Sequence, residues 1–461
     1  MVGLGLALFI ATAAGGNFFL SPQRQVSLRS AGYDFLAFYT AGTFVRTGQL
    51  ENLYDLDAVR AFQHDLSQRH GMELRPDAVG PFWNPPIFAW VFAPLSAMTY
   101  PSAFLLWTIL NLACFAAAMV ILCRTVARSP RPCFRGGRPH EANEREAAGA
   151  AGCMGEAPMP REISDWRTWA LVPLLTLTSM PFIMSIGHGQ NTCVSLLILA
   201  GAVALWRGER FFAAGVVAGL LFYKPQLGAV VAAMMIVCCG WRALAGLATT
   251  GTILLFATLL TLPGTLATFL AKMPRNLAFM QVEHRYLWDR HVTLKSFWRL
   301  LVQGYQVGET STITTALTVV TALAVGACAF VCVVKLRGRG PGRADAGSRD
   351  QIISITILSM PLLMPFYFDY DLLLLAVPAA LAAAHGQSMN RRTIAAWIAL
   401  YAWLIVNPHM AALTRVNGTV ILLAAVAGMT MWTAMKERSA GQSAAATEKS
   451  DPITPSRRAA A

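Results

Sequence analysis

Long runs of apolar residues limit how this chain can fold more than any other feature. Of its 461 residues, 55% are apolar and only 13% are charged, and the apolar residues stand in near-continuous stretches. About 20 such residues suffice to cross the roughly 30 Å hydrocarbon layer of a bilayer. Soluble domains do not bury so much continuous apolar sequence, so we predict an all-α polytopic membrane protein.

Thirteen apolar segments are candidates for membrane helices. They lie at about 4–20, 87–99, 103–123, 168–186, 193–206, 211–223, 228–240, 243–263, 312–335, 352–368, 370–384, 394–406 and 418–435. The first segment has no basic region before it and no small-residue cleavage site before Ser21, so we expect it to be retained in the protein. The cysteines within these segments have no metal-ligand or disulfide spacing, and we assign them no function.

Arginine-rich breaks predict which loops face the cytoplasm. They lie at 124–167, 207–210, 335–349 and 391–392, and such loops favour the cytoplasmic side. With a cytoplasmic N-terminus and the tail after Lys436 also cytoplasmic, the number of crossings must be even, and thirteen is one too many. The net charge of +13 therefore reflects topology, and we expect no nucleic-acid partner.

The segment 87–99 is the one we expect not to cross. It is short, contains Pro94 and follows Pro85-Pro86, so we predict a re-entrant segment and about twelve spans. The alternative is a full span there, which would move the arginine-rich loop outside or drop another segment.

This topology places five polar loops together on the non-cytoplasmic side. They are 21–86, 187–191, 223–226, 264–311 and 368–371. A site built from several loops on one face is typical of an enzyme or a receptor.

The first of these loops shows apolar residues near helical spacing in two places. The stretches 34–46 and 56–70 predict two amphipathic helices that lie in the membrane interface. Surface helices that only pack against the bundle are the equal alternative.

Several short motifs occur in order along the chain. They are Asp34-Phe35, Phe38-Tyr39, Ala41-Gly42, Leu53-Tyr54-Asp55, Asn84-Pro85-Pro86, Gly189-Gln190-Asn191, Tyr223-Lys224-Pro225-Gln226 and Tyr367-Phe368-Asp369-Tyr370-Asp371-Leu372. In this order the chain resembles glycosyltransferase family 87, membrane enzymes of the GT-C type originally filed as a domain of unknown function. It departs from the family pattern at Asn84, where Tyr-Pro-Pro is common, and in a long low-complexity insertion at 128–165.

The resemblance implies a GT-C-like bundle that transfers sugars. It implies inverting transfer of a hexose, with mannose as the first expectation, from a polyprenyl-phosphate-sugar to an envelope glycolipid or glycan. The site would face outward from the bacterial cytoplasmic membrane, with membrane lipids, donor and acceptor as partners and no cofactor besides the lipid-linked sugar. The transferase domain would span 1–436, with a catalytic loop at 21–86, a cytoplasmic insertion at 124–167 and a disordered tail at 437–461.

The same resemblance assigns the general base to Asp34, which follows the first apolar segment. A carboxylate within hydrogen-bond reach of an acceptor hydroxyl typically accelerates transfer about a hundredfold to ten-thousandfold. Asp55 and Asp57 compete for this role, but they precede a predicted helix, where aspartates commonly serve as N-caps. Asp34 can also cap the helix that follows it.

The remaining candidates would bind phosphate or sugar on the same face. They are Lys224, Gln190, Asn191, His284, Arg285, Arg290, His291, Asp369 and Asp371. Each has a structural alternative: Lys224 can snorkel to the interface, Gln190 and Asn191 can cap a helix, and the 283–291 loop can be solvated or bind lipid headgroups. Asp369 and Asp371 alone are a weak metal signal, so we predict no metal site.

Two other classes of protein remain open from the sequence. One is a transporter or flippase of lipid-linked sugars, although no internal repeat is evident. The other is a non-catalytic scaffold of envelope glycan assembly. The sequence has no phosphate-binding or dinucleotide glycine motif, which disfavours a nucleotide-sugar donor.

Overall fold

The computed structural model describes residues 32–72, 74–127, 166–338, 344–384 and 391–450. The predicted first span at 4–20, nearly all of the arginine-rich insertion and the last part of the tail lie outside these residues. The described residues are helical and contain no β-strand. Their only extended pairing is one isolated bridge between His291 and Phe368.

The described residues hold sixteen α-helices. They are α1 (Tyr33–Arg46), α2 (Leu56–Arg69), α3 (Tyr100–Ala127), α4 (Trp166–Leu177), α5 (Met180–His188), α6 (Thr192–Arg207), α7 (Phe211–Gly219), α8 (Pro225–Cys239), α9 (Trp241–Thr261), α10 (Thr265–Ala278), α11 (Leu294–Gln303), α12 (Thr312–Leu336), α13 (Ala346–Leu363), α14 (Ala376–Ala384), α15 (Arg391–Thr414) and α16 (Gly418–Ser450).

Five of these helices are long and apolar enough to cross a membrane: α3, α9, α12, α15 and the first part of α16. The pair α4 and α5 adds a sixth if its two parts, bent by 52°, form one span. The bend has a local cause, because Ser179 caps α5 and Pro181 lacks the N–H that would continue α4 into α5. The count of about twelve spans stays a prediction.

The other predicted apolar segments that lie within the described residues are also helical but shorter. Helix α6 has 16 residues and spans about 24 Å, less than the hydrocarbon layer. The segment predicted to be re-entrant contains only two short 3-10 helices, Pro86–Val91 and Leu95–Ala97. Neither is long enough to cross a bilayer.

Residues from three of the predicted cytoplasmic loops, 124–167, 207–210 and 335–349, meet at one end of the bundle. There Arg207 pairs with Asp350 at 2.9 Å, and its guanidinium also donates to the backbone oxygen of Thr125. Arg349 pairs with Glu209 at the same end. Helix α3 has 28 residues and carries the chain about 42 Å from this end to Tyr100, where the polar loops of the opposite face gather.

Helix α1 differs from its prediction as an interfacial helix. All residues from Phe35 to Val45 are buried, so the helix has no exposed face, and the prediction is wrong. Phe35 contacts five aromatic rings, those of Tyr39, Phe92, Tyr100, Phe104 and Trp107. Helix α2 does bury one side only, through Val59, Gln63 and Leu66, as an amphipathic helix does.

Glycines let α7 and α9 pack with their backbones in direct contact. A Cβ added at Gly246 would lie 2.1 Å from the Phe212 backbone oxygen, and one at Gly215 would lie 2.3 Å from the Ala243 oxygen. Real Cβ atoms do not approach other atoms so closely. Any larger residue must therefore push the two helices apart.

We expect Gly246→Ala to destabilise the protein by about 1–3 kcal/mol because it forces a methyl group into this contact. The measurement is thermal unfolding of the purified protein in detergent. Gly428→Ala in α16 is the matched control, since its added Cβ meets no atom within 4 Å. Equal unfolding temperatures for the two variants would show that the α7–α9 contact is not tight.

Candidate active site

Asp34 lies in the first turn of α1 and is hydrogen bonded to a residue far away in the sequence. The Gln190 side-chain amide donates to Oδ2 of Asp34 at 2.8 Å. Gly32, with φ of 82°, occupies the N-cap position, and no side chain caps the helix. Asp34 is therefore not a cap. Its carboxylate is partly buried and oriented by Gln190.

A turn between α5 and α6 holds Gln190 in this position. The Gly32 amide donates to the Gly187 oxygen at 2.9 Å, and the Trp107 indole donates to the Gly189 oxygen at 2.8 Å. Gly189 has φ of 72°, and a Cβ there would lie 2.7 Å from the Cβ of Phe35. Glycine is thus required for α1, α3 and the turn to meet.

Arg290 and Asp369 form a buried bidentate pair near Asp34. The guanidinium donates through Nε and Nη2 to the two carboxylate oxygens, each at 3.0 Å. Burial disfavours the charged guanidinium, but the Asp369 carboxylate outweighs it and raises the pKa of Arg290 above its ordinary value. The Asp34 carboxylate contributes to the same rise, so the two groups lie within electrostatic range.

A second ion pair joins Lys224 to Asp371 at 2.8 Å. Thr192 donates to the same carboxylate oxygen at 3.0 Å, which ties the pair to the start of α6. The two charged side chains are only 12% and 14% exposed. The alternative of a snorkelling lysine is therefore wrong, because the ammonium is directed into a carboxylate inside the protein.

Tyr370 connects the two ion pairs with Asp34. It lies between Asp369 and Asp371 in sequence, and its ring stacks on Phe368 and lies 5.9 Å below the Arg290 guanidinium. Burial raises the pKa of Tyr370, and the Asp34 and Asp371 carboxylates raise it further. The structure thus brings together Asp34 and Gln190 with the two ion pairs.

Two histidines that were predicted to bind substrate, His291 and His284, belong to neither ion pair. His291 is buried against the Phe368 ring at 3.9 Å, and burial, together with Arg290 and Lys295, lowers its pKa to about 3, so the imidazole is neutral. His284 bonds the backbone oxygen of Phe279 at 2.9 Å through Nδ1.

Arg285 is exposed, with its guanidinium 4.8 Å above the Tyr305 ring. Neither Arg285 nor His284 has a contact with the ion pairs. Both were predicted to bind substrate, and the structure does not bring them into the cluster.

Asn191 occupies the N-cap position of α6, but its side chain makes no capping bond. The cap alternative is wrong for this residue. Its amide is fully buried, and neither the oxygen nor the nitrogen has a hydrogen-bond partner. A buried polar group without a partner is costly, so this amide has unused capacity for a bound ligand.

The two rival aspartates have structural roles. Asp55 caps α2 by accepting from the Asp57 and Ala58 amides, and it pairs with Lys272 at 2.6 Å. The hydrogen bond from Lys272 is the largest cause that lowers the pKa of Asp55. Asp57 is exposed and contacts Arg60. Neither is placed among the residues around Asp34.

Among the described residues, no three histidine, cysteine, aspartate or glutamate side chains gather as a metal site would require. Tyr370 and Thr192, which the structure places at the two ion pairs, were not among the predicted residues. The sequence did contain a signal for Tyr370, since this residue lies between two predicted site residues. Thr192 carries no signal in the sequence, because only the fold brings its hydroxyl next to the Asp371 carboxylate.

The family model for glycosyltransferase family 87 matches residues 82–348, which is more than half of the 461-residue chain. The matched stretch includes Gln190, Lys224 and Arg290 and leaves out Asp34. No curated protein and no solved structure matches the chain.

Proposed function

Because the chain belongs to glycosyltransferase family 87, we propose that it transfers a hexose from a polyprenyl-phosphate carrier to an envelope glycolipid or glycan. Mannose is the first candidate for the hexose. The observation that carries the proposal is the Asp34 carboxylate, bonded to Gln190 at 2.8 Å beside a buried Arg290–Asp369 pair. A carboxylate held this way among groups able to bind sugar and phosphate suits a general base.

In the proposed reaction, Asp34 removes the proton from the acceptor hydroxyl. The hydroxyl oxygen attacks the anomeric carbon of the donor as the bond from that carbon to the phosphate oxygen breaks. The leaving polyprenyl phosphate takes the electron pair of that bond. A single displacement of this kind inverts the anomeric configuration. Gln190 keeps Asp34 oriented towards the hydroxyl.

The two ion pairs suit sugar recognition. Asp369 and Asp371 each accept from a cation and have further lone pairs for sugar hydroxyls. The unpaired amide of Asn191 supplies both a donor and an acceptor. Because each of these two carboxylates is matched by Lys224 or Arg290, the two pairs add no net charge to the site. A neutral sugar can therefore bind without bringing a charge that would oppose the action of Asp34 as the base.

The proposed location is the bacterial cytoplasmic membrane, with about twelve spans and the site on the outer face. A lipid-linked donor can diffuse sideways into such a site from the bilayer. The apolar helices and the assembly of polar loops at the end of α3 opposite the arginine-rich loops support this placement.

The test is a transfer assay with the purified protein in lipid nanodiscs. Polyprenyl-phosphate-mannose and other polyprenyl-phosphate hexoses are offered with an envelope lipid extract as acceptor, and products are identified by mass spectrometry. We expect transfer from one lipid-linked hexose and none from the nucleotide-linked form of the same sugar. A folded protein that uses no lipid-linked sugar, together with unchanged envelope glycans in cells lacking the chain, would contradict the proposal.

Gln190→Leu is expected to lower kcat by about tenfold or more, because it removes a hydrogen bond to a charged group worth roughly 1.5–3 kcal/mol. Donor KM should change less, since Gln190 acts on the base. The measurement is steady-state kinetics in the same assay. Gln68→Leu on the exposed side of α2 is the control and should leave both constants unchanged. An unaltered kcat for Gln190→Leu would remove this residue from the orientation of Asp34.

A further inference from the structure

Lys295 lies between two aromatic rings without a carboxylate partner. Its ammonium is 5.6 Å from the centre of the Trp288 ring and 5.3 Å from that of Phe366. It donates one hydrogen bond, to Oε1 of Gln281 at 3.0 Å. Of the ion pairs found in the described parts of the chain, none includes Lys295.

A second cation lies one helical turn away on α11. Arg299 is fully buried, lies 5.5 Å from the same Trp288 ring, and donates to the backbone oxygens of Gln306 and Gly304. Its bonds within the described residues likewise include no carboxylate. Burial first, and then Arg299, lower the pKa of Lys295, so its surroundings disfavour a positive charge. A partly buried cation is costly unless an anion accompanies it.

A row of neighbouring aromatic rings connects Lys295 with the site around Asp34. The Phe366 ring is 6.2 Å from that of His291, and the His291 ring is 3.9 Å from that of Phe368, over which Arg290 lies. Both Arg290 and Lys295 lower the pKa of His291, so both are within electrostatic range of that ring.

The four cations near the site differ in how far their charge is neutralised. Arg290 and Lys224 each have a carboxylate at 3.0 Å or less. Arg299 is fully buried, and its guanidinium donates its hydrogen bonds to backbone oxygens. Lys295 is partly exposed and has two N–H bonds left after its contact with Gln281. It is the cation best suited to receive an anion from outside.

We propose that Lys295 binds the phosphate of the polyprenyl carrier, an inference that rests on the proposed function. The phosphate carries one negative charge in the donor and gains a second as the bond to the anomeric carbon breaks. An ammonium whose surroundings lack negative charge stabilises this added charge more than it stabilises the donor. Lys295 thus favours departure of polyprenyl phosphate and holds the product after transfer.

The test measures binding of polyprenyl phosphate, without sugar, to the full chain in nanodiscs. Polyprenol of the same length serves as the ligand that lacks a phosphate. We expect Lys295→Met to bind polyprenyl phosphate about tenfold to a hundredfold more weakly than the unaltered protein, as loss of a charge-assisted bond implies. Its affinity for polyprenol should be unchanged. Lys335→Met, at the far end of α12, is the matched control and should bind both ligands normally.

Lys295→Gln repeats the test with a polar neutral side chain, and thermal unfolding confirms which variants are folded. Normal phosphate affinity in either folded variant would overturn the assignment while leaving the proposed function intact. If the unaltered protein binds polyprenol as tightly as polyprenyl phosphate, the role of Lys295 is overturned, whereas the proposed function fails only if the transfer assay shows no use of a lipid-linked sugar. Inorganic phosphate that binds as tightly as the lipid phosphate would identify a free-phosphate site instead and overturn the lipid assignment.

Discussion

Asp34→Asn is expected to lower kcat for sugar transfer by about a hundredfold to ten-thousandfold. Asparagine keeps the size of the side chain and can still contact Gln190, but it cannot accept the proton of the acceptor hydroxyl. Donor binding should persist because the ion pairs and Lys295 are untouched. The measurements are single-turnover transfer and equilibrium binding of polyprenyl phosphate with the same preparation.

The control for this substitution is Asp57→Asn, which removes an exposed carboxylate near the start of α2 and should leave kcat unchanged. Undiminished product formation by Asp34→Asn would exclude Asp34 as the general base. A transporter of lipid-linked sugars would instead move its cargo across the bilayer at a rate that this substitution hardly alters. A scaffold would show no transfer in either form of the protein.

Apolar patterning predicted the helices of this chain well, because a run of apolar residues in a membrane protein must satisfy its own backbone hydrogen bonds. The described apolar segments from α3 onward are helical. Their lengths were harder to predict. The 352–368 segment is helical only as far as Leu363, and 168–186 divides into α4 and α5 with a 52° bend. Apolar composition does not reveal where prolines and caps end a helix.

The prediction for α1 failed because the apolar spacing marks one side of the helix, whereas its other sides are apolar or small too. Phe35, Phe38 and Gly42 recur at helical spacing, but Leu36 and Ala41 on the other sides are apolar or small as well. The helix is therefore enclosed by Phe92 and its aromatic neighbours. A helix that is apolar on all sides is a core element.

The charged residues of the candidate site could be predicted individually from the sequence. Which cation pairs with which carboxylate could not. The sequence named both cations and both carboxylates of the two ion pairs. It did not show that Arg290 pairs with Asp369, 79 positions away, or that Lys224 pairs with Asp371, 147 positions away. Such pairing depends on how distant loops meet. For the same reason, the sequence did not single out Lys295, which differs from Arg290 and Lys224 because it lacks a carboxylate partner.

Asp369→Asn is expected to destabilise the protein by roughly 3–5 kcal/mol, because it leaves the Arg290 guanidinium buried without its counter-charge. The two side chains are 8% and 15% exposed and share two hydrogen bonds of 3.0 Å, so water cannot replace the lost carboxylate. The measurement is thermal unfolding in detergent. Asp65→Asn breaks an exposed pair with Arg69 on α2 and should cost at most about 1 kcal/mol.

The double variant Arg290→Met with Asp369→Leu separates stability from function. Replacing both partners of a buried ion pair by apolar residues of similar size is often neutral or stabilising, so the unfolding temperature should recover most of the loss. Transfer should not recover, because the apolar pair offers no carboxylate to a sugar hydroxyl and removes the Arg290 charge near Asp34. A double variant with normal kcat and donor KM would show that the Arg290–Asp369 pair serves the fold alone, and sugar recognition would then rest on the Lys224–Asp371 pair and Asn191.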